Sequence, residues 1–570
     1  MRNKIIAIFI IFIFSFLIFG LVNLQVIHGR KFKELSNKNC IRLLTQLGGR
    51  GRILDRQGKV IIGNRLSYDV LILPQDEKQI EASLNRLSLI LSADYNNLKN
   101  AFKKGYVTSS IPVTVVKNID VKKAIILEEL KLDLPSIVIQ PHPVRDYPYN
   151  QLACHVIGYL NEIDHWRLTK LGDYGYKTKD IVGFGGIEEK YDYYLRQEDG
   201  VLSVEVDHRG SFMRVLGFKP SKDGKDVQLT LDLKIQKIVE DNLEDKKGSV
   251  IIMEPYTGEI IAMASSPGFS PAAFIKKSGA YIAGLFNNPQ APVLNRAISG
   301  VYPAGSVFKV VVASAALETG KINAETTFLC TGSTYVGRKE FSCWDKHGLQ
   351  NLLLALTHSC NVFFYKTGLL VGAQNLHDYA LKFGLSRPSS IDLPYESSGF
   401  VPSPLWKRIS RFKSWFDGDT ANLAIGQGDL LVTPIQITRV MAVFANKGML
   451  VTPYLVRVID NQDISAYQKK ITKVPLKKST INYLNQGLRR VVAESSGTGN
   501  ILANLPVEVA GKTGTVQVTQ GQPHAWFAGF FPYKKPKFVI CVFLEHAGSA
   551  QVSCRLARQI IEMMSRENLI

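Results

Sequence analysis

The sequence predicts a mixed α+β protein with a single N-terminal membrane-spanning helix followed by two folded domains. Three observations predict this class. An uncharged apolar run fills residues 5–22, short apolar strands then alternate with charged helical stretches, and no internal repeat or low-complexity linker interrupts the 570 residues. A chain of this length can form two or three domains, each with its own buried core.

The apolar run Ile5–Val22 has the sequence IIAIFIIFIFSFLIFGLV. As a helix it would span about 27 Å at ~1.5 Å per residue, which is enough to cross the core of a bilayer. A cleavable signal peptide would have a shorter apolar stretch followed by a site of small residues, but the residues that follow here are NLQVIHGRKF. We therefore predict a tail at residues 1–4 and an uncleaved anchor at residues 5–25.

Charge by itself does not orient this anchor. Arg2 and Lys4 precede it, whereas Arg30, Lys31 and Lys33 follow it, so the positive-inside rule leaves the topology ambiguous or reversed. The net charge of +20 would suit nucleic acid, an anionic membrane surface or an anionic polymer. No nucleic-acid module and no dominant Lys/Arg block is visible, so we predict a solvated basic surface and no nucleic-acid partner.

Residues 26–235 are predicted to form a pedestal domain. Three of its fragments are distinctive: RGRILDRQG at residues 50–58, RDYPYNQLACHVIGY at 145–159 and GFGGIEEKYDYYLR at 183–196. None of them combines a nucleophile with a base, so an interaction role is expected. The second domain, residues 236–570, follows VQLTLDLKIQ, and its strands GSVIIMEP and GEIIAMASS are joined by a turn at Tyr256–Gly258.

The candidate nucleophile lies in GVYPAGSVFKVVVASAALETG. Pro303 and Gly305 break the chain, and a helical apolar run then continues to Gly320. Ser306 is thus expected at a helix N-terminus, with Lys309 on the same face. A lysine can serve as the base for a serine only if burial or a neighbouring cation lowers its pKa. The helix N-terminus would also favour developing negative charge.

The Ser-x-x-Lys pattern alone is weak evidence, because Ser410–Lys413 matches it too within a polar stretch and is predicted to be surface. Two more motifs strengthen the case for Ser306. THSCNVFFY contains Ser359 and Asn361, a hydroxyl and an amide two residues apart. VAGKTGTVQV contains Lys512, Thr513, Gly514 and Thr515 among strand-forming residues.

A second Lys-Thr-Gly occurs at residues 366–368 in a helical apolar pattern. Binding of an extended substrate requires a strand edge, so we interpret this second copy as chance.

Ser-x-x-Lys, Ser-x-Asn and Lys-Thr-Gly in this order resemble the three motifs of penicillin-binding proteins and serine β-lactamases. The flanks RGRILDRQG, GGIEEKYDYYLR, NRAISGVYPAGSVFK, SIDLPYESSG and AIGQGDLLVTPIQ resemble class B penicillin-binding proteins over nearly the whole chain, most closely the penicillin-binding protein 2 group. Ala304 and Val307 depart from the usual Pro and Thr, but neither position carries chemistry. The resemblance implies a C-terminal transpeptidase domain with an antiparallel sheet flanked by helices and an all-helical subdomain.

The resemblance also implies an activity, that of a serine-type D-Ala-D-Ala transpeptidase or carboxypeptidase that cross-links peptidoglycan stem peptides during elongation and that β-lactams inhibit. Ser306 would attack the D-alanyl-D-alanine carbonyl, and Lys309 would be the base, although the proton acceptor in this superfamily is disputed. Ser359 would relay the proton to the leaving amine. Asn361 would hydrogen-bond the substrate amide.

The Lys-Thr-Gly strand would bind the substrate. Lys512 would place positive charge near the terminal carboxylate and help to keep Lys309 neutral. Thr513 and Thr515 would contact that carboxylate on either side of Gly514. The backbone N–H groups of Ser306 and Thr515 would form the oxyanion hole, worth about 3 kcal/mol per donor.

The implied substrate also orients the anchor, because peptidoglycan lies outside the cytoplasmic membrane. Everything after residue 25 would then be periplasmic, and the pedestal would contact a SEDS-type (RodA) glycosyltransferase of the elongation machinery. Two alternatives stay open, a division-type class B enzyme and a protein that acts mainly as a scaffold. A β-lactamase is disfavoured by the pedestal and the anchor.

Seven cysteines cannot all form pairs. We expect Cys40, Cys154, Cys541 and Cys554 to be buried small hydrophobic residues.

The other three cysteines cluster with one histidine in C-x12-C-x3-H-x12-C, formed by Cys330, Cys343, His347 and Cys360. These four are ligands of the kind that a closed tetrahedral zinc site uses. A Cys330–Cys343 disulfide is the alternative in an oxidising compartment, and spacing alone does not decide between them. The resemblance favours zinc, because the penicillin-binding protein 2 group carries such a site here.

Overall fold

The computed structural model describes residues 2–74, 77–107, 112–134, 136–206, 212–276 and 279–570. Met1, the first residue of the predicted tail, lies outside them. The chain forms two compact units, one of residues 1–51, 63–146 and 196–225, the other of residues 52–62, 147–195 and 226–570. Each unit is therefore built from separate stretches of the chain. The predicted boundary between residues 235 and 236 stays a prediction.

The predicted anchor is helical throughout. An α-helix covers Arg2–Val22 and a π-helical turn continues it over Asn23–Ile27. Every face of the helix carries Ile, Phe or Leu, its mean hydropathy is 3.2, and none of it is buried. Among the described residues it is the single helix long and apolar enough to cross a membrane. A short helix, Gly29–Cys40, follows it.

The first unit contains two groups of antiparallel strands. Ile41–Gln46, Gly200–Val206 and Phe212–Lys219 form one sheet, in that order. In the other group, residues 63–72 of the strand Val60–Ile72 pair on one side with Ile137–Asp146 and on the other with Val113–Ile119. Helices Glu77–Leu91, Tyr95–Gly105 and Val121–Glu129 supply a core that includes Leu84, Leu87, Leu98 and Leu127. Asp94 and Asp120 cap two of these helices through their carboxylates.

A five-stranded antiparallel sheet is the centre of the second unit. Its strands, in spatial order, are Ile260–Ser266, Gly248–Met253, Phe538–Leu544, His524–Phe531 and Ala510–Val516. The predicted hairpin is present, with Gly248 opposite Ser266. Its turn requires Gly258, which has φ +86° and where a Cβ would come within 2.2 Å of the Thr452 carbonyl oxygen.

Both faces of this sheet are covered, which is why its strands are almost entirely apolar. Alternate residues of a strand point to opposite faces, so Val250 and Ile252 enter one core while Ile251 and Met253 enter the other. Helices Leu233–Leu243 and Ala550–Arg566 cover the first face. The wholly buried helix Pro434–Ala445 packs on the second face and begins with a Thr433–Gln436 capping box.

The predicted all-helical part packs on that second face. Its buried central helix, Lys309–Glu318, follows a 3-10 turn at Gly305–Phe308. The surrounding helices are Leu352–Thr357, Asn361–Val371, Ala373–Lys382, Asp417–Ala424 and Lys478–Ala493. The mixed α+β class, with an antiparallel sheet between helices and a helical subdomain, is thus confirmed.

The remaining elements of the second unit are short. Its other helices are Cys154–Ile157, His165–Leu171, Gly186–Lys190, Asp192–Leu195, Ala273–Lys276, Gly279–Phe286, Pro404–Ser410 and Ser465–Gln468, and its 3-10 turns are Gly172–Tyr174 and Asn500–Leu502. Its other strands are Ile53–Leu54, Tyr159–Glu162, Ile181–Phe184, Val227–Leu229, Phe328–Cys330, Ser333–Val336, Lys339–Ser342, Gly348–Gln350, Met449–Val451, Val456–Ile459, Gln462–Asp463 and Ile471–Lys473.

Candidate active site

Ser306 lies within the 3-10 turn Gly305–Phe308, and Lys309 begins the helix that follows. The sequence predicted a plain helix N-terminus. The 3-10 turn serves the predicted geometry better, because residues three apart are eclipsed in such a turn and the two side chains share one face. Gly305 has φ +57°, and a Cβ there would lie 2.4 Å from Val516 Cγ2. Glycine is therefore needed to bring this turn against the strand Ala510–Val516.

The Lys309 ammonium group is buried and reaches the Ser-x-Asn motif. Its Nζ donates to the Ser359 carbonyl oxygen at 2.8 Å and to Asn361 Oδ1 at 2.7 Å, and it lies 3.3 Å from Ser359 Oγ. Among the described residues none of its hydrogen bonds goes to the Ser306 hydroxyl. Burial lowers the pKa of Lys309 to about 8, against the opposing effect of Cys343 and Cys360. The amine is thus available in its neutral form near neutral pH.

Ser359 occupies the bend between helices Leu352–Thr357 and Asn361–Val371. Its φ of +53° is in the left-handed region, which costs a non-glycine residue energy and recurs at functional sites. The neighbouring backbone holds it there, since its N–H donates to the Leu356 carbonyl and the Cys360 N–H to the Ala355 carbonyl. The bend turns the Ser359 hydroxyl and carbonyl towards the two lysines.

Lys512 reaches the same hydroxyl from the opposite side. Its buried Nζ donates to Ser359 Oγ at 2.9 Å and to the Thr513 carbonyl oxygen at 3.1 Å. Burial, together with the nearby Lys309, lowers the pKa of Lys512 well below its ordinary value. Two ammonium groups beside one hydroxyl repel each other, and this repulsion adds to burial in favouring the neutral form of Lys512.

The Lys-Thr-Gly motif lies on Ala510–Val516, the edge strand of the five-stranded sheet. An edge strand has free N–H and C=O groups with which an extended peptide can pair. Thr515 is exposed, and its Oγ1 accepts from the Ala550 N–H at 3.1 Å, which leaves its own proton free. Gly514 faces the nucleophile turn, because a Cβ there would lie 3.4 Å from Val307 Cγ1.

One contact of this strand was missed from the sequence. The Thr498 and Thr513 hydroxyl oxygens are 2.7 Å apart. The only available signal was a run of small polar residues, Ser-Ser-Gly-Thr-Gly, shortly before Lys512. Such a run predicts a loop but not what the loop contacts.

The second copies of Ser-x-x-Lys and Lys-Thr-Gly both lie in places where they cannot take part in the site. Ser410 is exposed at the end of helix Pro404–Ser410, so its Ser-x-x-Lys is on the surface as predicted. The second Lys-Thr-Gly lies inside helix Asn361–Val371, where backbone groups are bonded within the helix and cannot pair with a peptide. Its Gly368 allows the close approach of helix Asp417–Ala424, since a Cβ there would lie 2.4 Å from Ala424 Cβ.

The four predicted metal ligands come together. Cys330, Cys343, His347 and Cys360 each offer one ligand atom, and these atoms all lie within 4.8 Å of one another. His347 Nδ1 is 3.5 Å from the sulfurs of both Cys330 and Cys343. A tetrahedral zinc ion with Zn–S of about 2.3 Å and Zn–N of about 2.05 Å would place S and N about 3.6 Å apart. The residues therefore fit a closed zinc site.

Two further observations concern the same cluster. The buried His347 Nε2 has no hydrogen-bond partner among the described residues, so its ring is held by other contacts. The Asn361 N–H donates to Cys343 Sγ at 3.2 Å, at the start of helix Asn361–Val371. The hydrogen bond from Cys360, assisted by such N–H groups, lowers the pKa of the Cys343 thiol. All seven cysteines lie among the described residues, and none forms a disulfide.

Three of the other four cysteines are buried as expected, and one is not. Cys154, Cys541 and Cys554 are buried as predicted, in a short helix, a core strand and the C-terminal helix. The expectation for Cys40 was wrong, because it is only partly buried. Cys40 is the last residue of the helix Gly29–Cys40, which follows the anchor.

Two family models match the chain. The penicillin binding protein transpeptidase domain matches residues 248–562, and the penicillin-binding protein dimerisation domain matches residues 45–229. Among curated proteins, the peptidoglycan D,D-transpeptidase MrdA of Salmonella typhimurium is 30% identical and covers 99% of this chain and 95% of its own. MrdA of Escherichia coli is also 30% identical, over 96% and 91%.

Solved structures agree with these matches. The complex between penicillin-binding protein 2 and MreC from Helicobacter pylori has a TM-score of 0.83 at 28% identity, over 93% of this chain and 100% of that one. A peptidoglycan synthase complex that coordinates polymerization and crosslinking has a TM-score of 0.75 at 27% identity, over 100% and 99%.

Proposed function

Because this chain belongs to the class B penicillin-binding proteins, we propose that it is a peptidoglycan D,D-transpeptidase that cross-links stem peptides during cell elongation and rod-shape maintenance. One observation supports this most strongly. The Ser306 turn packs against Gly514 and Val516 of the Lys-Thr-Gly strand, and the amines of Lys309 and Lys512 both reach Ser359. A nucleophile, a proton path and a peptide-binding edge are thus adjacent.

In the proposed reaction Ser306 Oγ bonds to the carbonyl carbon of the penultimate D-alanine of the donor peptide. In neutral Lys309 the two N–H groups are taken by the Ser359 carbonyl and Asn361 Oδ1, so its lone pair remains for the Ser306 proton. The C–N bond to the terminal D-alanine then breaks, and Ser359 passes the proton to the leaving amine. Backbone N–H groups of Ser306 and Thr515 would bind the oxyanion.

The resulting acyl-enzyme is resolved by the amine of a second stem peptide. Lys309 takes a proton from that amine as the new peptide bond forms and returns it to Ser306 Oγ as the ester bond breaks. Asn361 contributes to binding in this scheme. Its Oδ1 accepts from Lys309, so its amide N–H₂ is left to donate to a substrate carbonyl. A substrate carboxylate favours the charged form of Lys512, and Thr513 and Thr515 donate to that carboxylate.

A Ser306→Ala variant tests the assignment. Covalent labelling by a fluorescent penicillin should be lost, because Ser306 supplies the hydroxyl of the turn Gly305–Phe308. The matched control is Ser410→Ala, which removes the serine of the other Ser-x-x-Lys and should label like the wild type. Undiminished labelling of Ser306→Ala would refute the catalytic role.

We further infer that water can resolve the same acyl-enzyme, which would make the protein a D-Ala-D-Ala carboxypeptidase as well. Thr515, at the proposed oxyanion-binding position, is exposed to solvent, so water can reach the acyl-enzyme. Mass spectrometry of the products from a pentapeptide substrate, with and without an acceptor amine, would separate the two activities. Release of tetrapeptide in neither case would exclude the carboxypeptidase.

We propose that Cys330, Cys343, His347 and Cys360 hold one structural zinc ion. The fit of the S···N distances to a tetrahedron supports this, as does the donor set of three soft sulfurs and one imidazole. Zinc in such a closed site contributes folding energy and leaves no position open for substrate. The protein residues would tie the loop before Gly348–Gln350 to the start of the helix that carries Asn361.

For location and partners, we propose a single-pass protein of the inner (cytoplasmic) membrane with its catalytic unit in the periplasm. The exposed apolar helix Arg2–Val22 supports the anchor. The SEDS-type (RodA) glycosyltransferase is the proposed partner, and the similarity to a peptidoglycan synthase complex supports that class of assembly. Co-purification of a RodA-type protein with the full chain, and not with an unrelated single-pass protein, would be the expected result.

A further inference from the structure

The loop of residues 494–500, between helix Lys478–Ala493 and the Lys-Thr-Gly strand, has no role in the reaction described above. It is nevertheless held closely against the site. The Thr498 N–H donates to the Thr357 carbonyl at 3.2 Å, and Gln551 Nε2 donates to the Thr498 carbonyl at 3.0 Å. These two backbone bonds fix the position of the Thr498 side chain, whose Oγ1 lies 2.7 Å from Thr513 Oγ1.

Each of these two hydroxyl groups has one proton to donate. If Thr513 donates to Thr498, its proton is used and only lone pairs face the substrate. If Thr498 donates to Thr513, the Thr513 proton stays free. A carboxylate is an acceptor with no proton, so its arrival selects the second arrangement. Thr513 is almost wholly buried, at 3% exposure, and the other polar group near its hydroxyl is Lys512 Nζ at 3.5 Å, which donates and so leaves the Thr513 proton free.

A second contact secures the loop. Gln350 Nε2 donates to the His347 and Leu349 carbonyls at 2.8 and 3.1 Å, so its oxygen must face His358 Nδ1, which lies 2.9 Å away. The Nδ1 atom of His358 therefore carries the ring proton. Its Nε2 atom is left as the acceptor for the Ser496 hydroxyl at 3.1 Å. Ser496 is thus bonded to a ring whose orientation is already set.

The His358 ring is also stacked, with its centroid 5.6 Å from that of His347 and its plane tilted by 7°. Trp344 Nε1 donates to the His358 carbonyl at 3.0 Å. The loop that carries Thr498 therefore rests on a rigid surface that continues into the Cys/His cluster.

We propose that Thr498 is a positioning residue for the donor peptide: its hydroxyl donates to Thr513 and so aims the Thr513 proton at the terminal carboxylate, while the Ser496–His358 bond holds Thr498 in place. The inference rests on the proposed function, because it assumes a substrate that presents a carboxylate at the Lys-Thr-Gly strand. The effect is specific to that charge. An analogue in which the carboxylate is esterified gains little from a donor at this position.

The test compares acylation by a penicillin with acylation by its methyl ester. Thr498→Val keeps the side-chain shape but removes the hydroxyl. We expect it to lower the acylation efficiency for the penicillin about tenfold, the size of a weakened hydrogen bond to a charged group. The methyl ester should react within about twofold of the wild type. Thr498→Ser restores the hydroxyl and should recover most of the preference for the free acid.

The control is Thr319→Val, which removes a hydroxyl that bonds the Ala315 carbonyl at the end of a helix. It should leave both reactions unchanged. Ser496→Ala keeps Thr498 itself and should lose part of the same preference, with a melting temperature within a few degrees of the wild type. If Thr498→Val is too unstable to assay, Ser496→Ala and Thr498→Ser still decide the question.

Three results would overturn the proposal. An equal loss for acid and ester would mean that the loop only supports the fold, and no loss for either would mean that Thr498 does not act on Thr513. Failure of Thr498→Ser to recover the preference would exclude the hydroxyl as the cause. Failure of the wild type to react with penicillin would be a different outcome, because it would overturn the proposed function and the inference with it.

Discussion

At the scale of single residues, the chemistry of the site depends on two lysine side chains that the fold removes from water. A buried ammonium group loses its hydration, which favours the neutral amine and lowers the pKa. For Lys309 this brings the pKa to about 8, and burial together with the nearby Lys309 lowers the pKa of Lys512 well below its ordinary value. A lysine on the surface keeps its hydration and with it its charge, so burial is what makes the proposed role of Lys309 as the base feasible.

The pKa of Lys309 leads to a pH prediction. Below about pH 8 the amine is mostly protonated and cannot accept the Ser306 proton, so the acylation rate should rise with pH and level off above that value. Stopped-flow measurements of penicillin acylation between pH 6 and 9.5 would show the inflection. A rate that is flat over this range, or that falls with rising pH, would mean that Lys309 is not the base.

At the scale of elements, the position of the Ser-x-Asn motif depends on how helix Asn361–Val371 begins. Ser359 has an unfavourable backbone conformation, and Cys360 next to it offers no side-chain cap to the helix. The Cys343 sulfur accepts the Asn361 N–H instead. The start of the helix, and the bend that contains Ser359, are therefore held by a cysteine from an earlier part of the chain.

The zinc proposal predicts one zinc ion per chain in protein purified without reductant, measured by mass spectrometry of the metal. His347→Ala should lose the ion, lower the melting temperature and slow acylation, because the start of helix Asn361–Val371 is no longer tied. Cys541→Ala, which changes a buried cysteine in a core strand, should keep the ion. A chain with no zinc and two fewer titratable thiols would instead carry the Cys330–Cys343 disulfide.

At the scale of the whole molecule, the active site belongs entirely to the second unit. The residues of the three motifs and of the Cys/His cluster all lie between residues 226 and 570. The side chains of the anchor helix, in contrast to those of the site, are exposed along the whole helix. Chemistry and membrane attachment therefore reside in separate parts of the chain.

Deletion of residues 2–25 should thus move the protein from the membrane fraction to the soluble fraction while penicillin acylation stays within about twofold of the full chain. The physical reason is that the deleted helix buries no surface against the catalytic residues. Replacement of the same residues by an unrelated membrane helix should return the protein to the membrane. Loss of acylation on deletion would mean that the anchor supports the catalytic unit.

The sequence by itself determined the features that depend on local pattern. The apolar run specified a membrane-length helix, and alternation and turns specified the central hairpin. The polar context of Ser410 and the helical context of Lys366 favoured Ser306 and Lys512 as the candidate site residues over these copies. These followed from periodicity and spacing, which act within a few residues. The spacing of Cys330, Cys343, His347 and Cys360 indicated a cluster in the same way.

Only the tertiary structure decided what depends on burial and on contacts between distant segments. The low pKa of Lys512, the left-handed conformation of Ser359, the partial exposure of Cys40 and the Thr498–Thr513 contact follow from how separate elements pack. A pKa depends on the water that a fold excludes, and a hydroxyl pair depends on two loops meeting. Neither the pKa nor the hydroxyl contact can be predicted from the spacing of residues along the chain, because both depend on atoms that the fold brings together.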